Sequence, residues 1–205
     1  MAASKLIYQF RIDLLGIKPG IWRRIQIPAS YSFWDLHVAI QDSMGWLDYH
    51  LHEFRVKSPS GRKVIEIGIP DTESDRDILA GWGVPVSDHF EEPGVAAAYD
   101  YDFGDGWQHK VLLEGILLKE LSVKYPVCIA GERACPPEDC GGVVGYESLL
   151  RVLSKPRTNE YKEMVSWLKG HAKNYFPYQA EHFSPEEVKF WDPAKRRKIA
   201  FGKHA

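Results

Sequence analysis

His50 and His52 are separated by a single residue, so on an extended strand both imidazoles face the same way, roughly 7 Å apart and within reach of one metal ion. Fifty residues on, Asp102, Asp105 and His109 bracket a Gly104-Asp105-Gly106 turn. Further on, Cys135 and Cys140 flank Pro-Pro-Glu-Asp, with Cys128 upstream. Thiolates and imidazoles are the donors that tetrahedral zinc prefers. His50, His52, His109, Cys135 and Cys140 therefore form a candidate ligand set, with Asp105 and Glu138 as carboxylates able to orient a histidine or a bound water.

Each group also has a purely structural reading. Phe54 and Val56 continue the face of His50 and His52, which points that face toward a packed interior. Asp before Gly is ordinary turn chemistry, which accounts for Asp105, and His109 shares a face with Trp107, Val111 and Leu113. Asp102 falls opposite Tyr101 and Phe103, where a ladder would bring it to Lys110. The Cys135/Cys140 spacing is wider than the two-residue gap of common zinc knuckles. Buried small hydrophobes, a regulatory disulfide, or a nucleophile with His52 or His109 as its base compete with metal ligation for these thiols.

The elements that must position these residues read clearly at the start. Leu6, Tyr8, Phe10, Ile12 and Leu14 alternate with polar residues, Lys18-Pro19-Gly20 turns the chain, and Ile21, Arg23, Ile25 and Ile27 return as a hairpin. Ser32 with Asp35 signals a helix start, Phe33, Leu36, Ile40 and Met44 keep helical spacing, and Gly45 stops it. Strands are expected over His50–Val56 and Arg62–Ile67 across Ser58-Pro59-Ser60-Gly61, then over Ala97–Phe103 and Trp107–Leu118. Residues 70–94 read as a long polar surface excursion. After the loop at 128–142, helices are expected over Tyr146–Leu153 and Tyr161–His171. A last one should begin at Ser184-Pro185-Glu186-Glu187 and be ended by Pro193. The sum is an α+β fold: a mixed, largely antiparallel sheet of about six strands, one inserted helix and a helical C-terminal part. One domain covers 1–205, with a sheet-rich part at 5–118, the Cys loop at 128–142 and a helical tail at 144–200.

Composition narrows the class. The chain has 205 residues, 44% hydrophobic and 26% charged, with seven Trp, which suits a folded globular protein with a core of its own. A net charge of −2 argues against a general nucleic-acid binder. The basic run Lys195-Arg196-Arg197-Lys198 is then expected to be a solvated helix end. No apolar run has the length of a membrane helix and the first residues lack a secretory pattern, so the cytoplasm is expected. In that reducing compartment an odd count of three Cys weighs against disulfides.

Three ordered segments carry a family resemblance: Trp46-Leu47-Asp48-Tyr49-His50-Leu51-His52-Glu53-Phe54, Tyr101-Asp102-Phe103-Gly104-Asp105-Gly106-Trp107-Gln108-His109, and Gly131 to Gly142 followed by Gly145-Tyr146. Together with the opening hairpin through Trp22-Arg23-Arg24, they resemble the family named after the third open reading frame of plasmid pRiA4b. The resemblance implies a stand-alone cytoplasmic α+β protein associated with plasmid or mobile-element genes, and it implies no particular activity. Two functional expectations follow: a binding or interaction module for a protein or small-molecule partner, or a metal-dependent hydrolase of zinc type built on the His/Cys/Asp constellation.

Overall fold

The computed structural model describes residues 5–58, 61, 63–70 and 75–202. Eight strands form one sheet in the order β5-β4-β3-β6-β7-β1-β2-β8. They are β1 (Leu6–Leu14), β2 (Ile21–Pro28), β3 (His52–Lys57), β4 (Val64–Gly68), β5 (Ile78–Ala80), β6 (Ala96–Tyr101), β7 (Trp107–Leu118) and β8 (Val127–Glu132). All neighbours pair antiparallel except the edge pair β4–β5, which is parallel.

The sheet is one-sided, as its alternation demands. Phe10, Ile12, Ile25, Ile27, Phe54, Tyr99, Trp107 and Val111 lie on a sealed face. The other face carries a polar ladder in which Gln26 donates to Gln9, and Gln9 and Arg24 both donate to Glu114. Helix α1 (Phe33–Met44) covers the sealed face with Phe33, Leu36 and Ile40. It starts with a complete Ser32/Asp35 capping box and ends at Gly45 in the left-handed region, as read from the sequence.

Two further strands separate the structure from the expected six. Val127–Glu132, all but its first residue counted with the Cys loop at 128–142, is instead strand β8 on the edge of β2. The stretch 70–94 contributes β5 and two 3-10 turns, and seats Val86 and Phe90 fully in the core. Those two apolar residues outweigh the polar, turn-rich composition around them. Pro59, Ser60 and Arg62, within the expected turn and strand, lie outside the described residues, as do positions 71–74.

Helices α2 (Gly142–Leu153) and α3 (Asn159–Gly170) follow β8. The last helix departs from expectation. Ser184-Pro185 opens only a 3-10 turn at Pro185–Glu187, whereas Pro193 begins helix α4 (Pro193–Phe201) with Asp192 as its cap. Proline at the first helical position gives up an N–H that has no partner there anyway, so it starts a helix as readily as it ends one. Nor is the basic run wholly solvated: Arg196 reaches back to Asp42 (2.7 Å) and Asp48 (3.2 Å) and ties α4 to α1. No helix among the described residues is long and apolar enough to cross a membrane.

Candidate metal centre

Beyond Gly45 the chain does not enter β3 directly. Residues 46–51 form a stitched connection: Trp46 Nε1 donates to Pro136 O (2.9 Å), Leu47 N–H to Glu138 Oε2 (2.6 Å) and Tyr49 N–H to the Tyr101 hydroxyl (3.1 Å). Tyr101 in turn donates to the second oxygen of Glu138. Glu138, buried at 1% exposure, is thus a pin between loops, with a hydrogen bond on each of its oxygens. The stitched segment presents His50 at the surface.

Asp102 follows β6 in the left-handed region (φ 55°), which Asp tolerates better than most residues. Its Oδ1 accepts the N–H groups of Gly104 (3.0 Å) and Asp105 (3.2 Å), and Oδ2 is left 3.6 Å from His50 Nε2. Asp139, also left-handed (φ 58°), comes from the Cys loop and places Oδ1 2.9 Å from the same imidazole nitrogen. Its Oδ2 lies 3.8 Å from Nε2 of His171, the C-cap of α3. The Cys loop is held to the Asp102 turn by a bond from Gly141 N–H to Asp105 Oδ2 (3.1 Å). At Gly142 a Cβ would come 2.3 Å from Asp105 O, so the two loops touch backbone to backbone.

Among the described residues, His50, Asp102 and Asp139 are the group of three His, Cys, Asp or Glu side chains whose ligand atoms all lie within 4.8 Å of one another. Two donors about 2.1 Å from an ion at a tetrahedral angle stand about 3.4 Å apart, close to the separations here. One imidazole and two carboxylates suit zinc, manganese or iron(II). Side-chain exposure is graded: 9% for Asp102, 31% for His50 and 52% for Asp139, so the cluster is anchored at its base and open to solvent on one side.

None of the other candidate ligands joins this group within those distances among the described residues. Because β3 begins at His52, His50 sits in the bend before it and the two imidazoles do not share a strand face. His52 turns inward and stacks on His37, ring centroids 3.4 Å apart and planes 9° off parallel. Burial and the neighbouring His37 hold its pKa well below the ordinary range. His37 bridges Tyr99 Oη and Asp48 Oδ1, both at 2.8 Å, within an interior polar network closed by Arg196. His109 is fully buried, with Nδ1 on Tyr99 O (3.1 Å), and burial lowers its pKa to about 4. The Cys135 and Cys140 thiols are pushed up to about 12 by burial, the reverse of what a nucleophile needs. Asp105 serves the loop contact described above.

Asp102, Asp139 and His171 were not in the sequence-derived ligand set. Lys110, the expected partner of Asp102, instead lies opposite Asp13 and Ala98. The signal that could have found Asp102 is its place between a strand and Gly104, the position where Asp adopts a left-handed turn and aims its carboxylate back at the backbone.

The family model described as Plasmid pRiA4b ORF-3-like protein matches residues 6–187. A curated protein, the uncharacterized protein y4hQ of Sinorhizobium fredii (strain NBRC 101917 / NGR234), is 29% identical over 168 residues, covering 82% of this chain and 82% of its own. Among solved structures, the protein of unknown function MM3350 from Methanosarcina mazei Go1 is 42% identical, with a TM-score of 0.79 over 91% of this chain and 99% of the other.

Proposed function

The chain belongs to the plasmid pRiA4b ORF-3-like family, and from that premise we propose that it is a metal-dependent hydrolase of zinc type, holding a divalent ion on His50, Asp102 and Asp139. The observation that carries this reading is convergence. The three ordered segments that bear the family resemblance lie far apart in sequence, and each brings one ligand-type side chain to the same point. Packing alone would not require a half-exposed imidazole between two carboxylates.

A divalent ion held by His50, Asp102 and Asp139 would supply a Lewis acid able to acidify a water bound to it. Three protein donors leave room for water and substrate, as in catalytic rather than structural zinc sites. Asp102, locked by two backbone N–H groups, is the rigid ligand. Asp139, with one oxygen on His50 and the other near His171, is the adjustable one.

A second reading has its own observation. Tyr49, Leu51 and Phe103, neighbours of the ligands in sequence, are 65%, 55% and 56% exposed, and exposed apolar side chains are what an interaction module would use.

Metal analysis separates the two. Tag-free protein, analysed by plasma mass spectrometry and then titrated calorimetrically with zinc and manganese, should take up one ion per chain. His50→Ala and Asp102→Asn should lose it, and Cys140→Ser should keep it. Absence of uptake by the wild type, or uptake that survives His50→Ala, would leave the interaction module standing.

A further inference from the structure

Alongside the cluster, α2 and α3 flank an open cleft of about 380 Å³, within the usual range of small-ligand sites. Asp139 and Cys140 form one end of it, and Leu149, Val152, Met164 and Trp167 supply apolar walls. Asp139 is therefore both a candidate metal ligand and a wall of the cleft. His171 makes the same link from the other side: it is 3.8 Å from Asp139 and packs edge-on against Trp167, ring centroids 5.8 Å apart.

The order of residues along α3 gives the cleft a direction. Glu160, Glu163, Met164 and Trp167 line it, a stripe at helical spacing that runs on to His171 at the metal end. At about 1.5 Å of rise per residue, Glu163 lies about 12 Å and Glu160 about 16 Å from the His171 end. The apolar stretch therefore lies between the metal cluster and a pair of exposed carboxylates that no ion pair engages among the described residues.

We infer that the ligand of this centre is an elongated amphiphile. An oxygen donor at one end binds the ion, an aliphatic or aromatic body lies along Trp167 and Met164, and a cationic group at the far end meets Glu163 and Glu160. This rests on the metal-centre reading and adds the substrate class to it. An anionic tail would meet two carboxylates and is disfavoured, whereas an ammonium tail completes both ends of the cleft.

The test uses the zinc-loaded protein and three hydroxamates, by titration calorimetry. Acetohydroxamate probes the ion alone, octanohydroxamate adds the apolar body, and 8-aminooctanohydroxamate adds the cation. Octanohydroxamate should bind at least about fiftyfold tighter than acetohydroxamate, from roughly fourfold for each of three or more buried methylenes. The amino compound should gain a further two- to fivefold or so, as exposed ion pairs do. Val152→Trp should abolish the chain-length gain and leave acetohydroxamate binding unchanged. The surface double variant Glu160→Gln/Glu163→Gln, which does not touch the core, should remove only the amine preference. If acetohydroxamate does not bind, the metal-centre reading falls and this one with it. If it binds and octanohydroxamate binds no tighter, the cleft assignment alone is overturned. Equal affinity of the two long probes would overturn the cationic end.

Discussion

His109 offers a quantitative test of how the interior is built. It stands on β7, fully buried beside Tyr99 and an edge-on Trp46, with Nδ1 on a backbone carbonyl and, among the described residues, no hydrogen-bond partner for Nε2. Protonation would place a charged N–H against apolar surface, and burial accordingly lowers the pKa to about 4 from an ordinary 6.5. Above pH 6.5 neither folded nor unfolded chain carries the proton, and the full stability is present. Between 6.5 and 4 the unfolded chain binds a proton that the folded one refuses, so stability falls as pH falls. Below 4 both are protonated and the loss stops. At about 1.36 kcal/mol per pKa unit the whole window amounts to about 3.4 kcal/mol, of which about 2.5 kcal/mol is lost by pH 4.5. His52, shifted the same way, steepens the acid limb in wild type and variant alike. Urea unfolding followed by Trp fluorescence from pH 7.5 to 4.5, on wild type and His109→Gln, isolates the His109 share. The wild type should lose about 2.5 kcal/mol more than the variant over that range. Parallel pH curves would refute the idea that His109 is kept neutral by burial.

Three more outcomes follow from the same geometry. Arg196→Ala removes the cationic partner of the largely buried Asp42 and Asp48 carboxylates, leaving them the Trp191 N–H and His37, and should cost about 3 kcal/mol in urea unfolding, with α4 released to proteolysis well below the global transition. A loss under about 1 kcal/mol would mean that α4 is held by Trp34 and Phe201 packing instead. Because burial raises the pKa of all three thiols, native protein at pH 8 should react with a disulfide reagent far more slowly than unfolded protein, which should titrate three groups. Rapid native reaction at Cys135 would contradict its burial. Gly142→Ala combines a left-handed φ of 65° with a Cβ 2.3 Å from Asp105 O, so it should part the Cys loop from the Asp102 turn. We expect a loss of about 2–3 kcal/mol and a metal affinity weakened at least tenfold, read by unfolding and by zinc titration. Wild-type metal affinity in that variant would separate the loop contact from the site.

Much of the scaffold was legible in the chain because the forces that shape it are local. The alternation of Leu6 to Leu14, the Ser32/Asp35 box, Gly45 as a stop and the Gly104-Asp105-Gly106 turn are each set by neighbours within a few residues, and each stands where the pattern puts it. Val86 and Phe90 were missed because isolated apolar residues in a polar stretch reveal burial only when a core exists to receive them. Pro193 was misplaced because the same residue opens and closes helices, and only Asp192 accepting from Ala194 N–H decides between the two. The candidate centre divides in the same way. Sequence alone picked out the segments that hold ligand-type side chains, His50 among them, because donor atoms are a property of residue type. Which donors meet was decided by tertiary structure. A bend before β3 turns His50 out while His52 turns in, left-handed backbone at Asp102 and Asp139 aims two carboxylates at one imidazole, and burial silences the thiols that spacing had favoured. Residues about fifty and ninety positions from His50 in the chain approach it only through loops pinned by Glu138 and Asp105, contacts that no local period encodes.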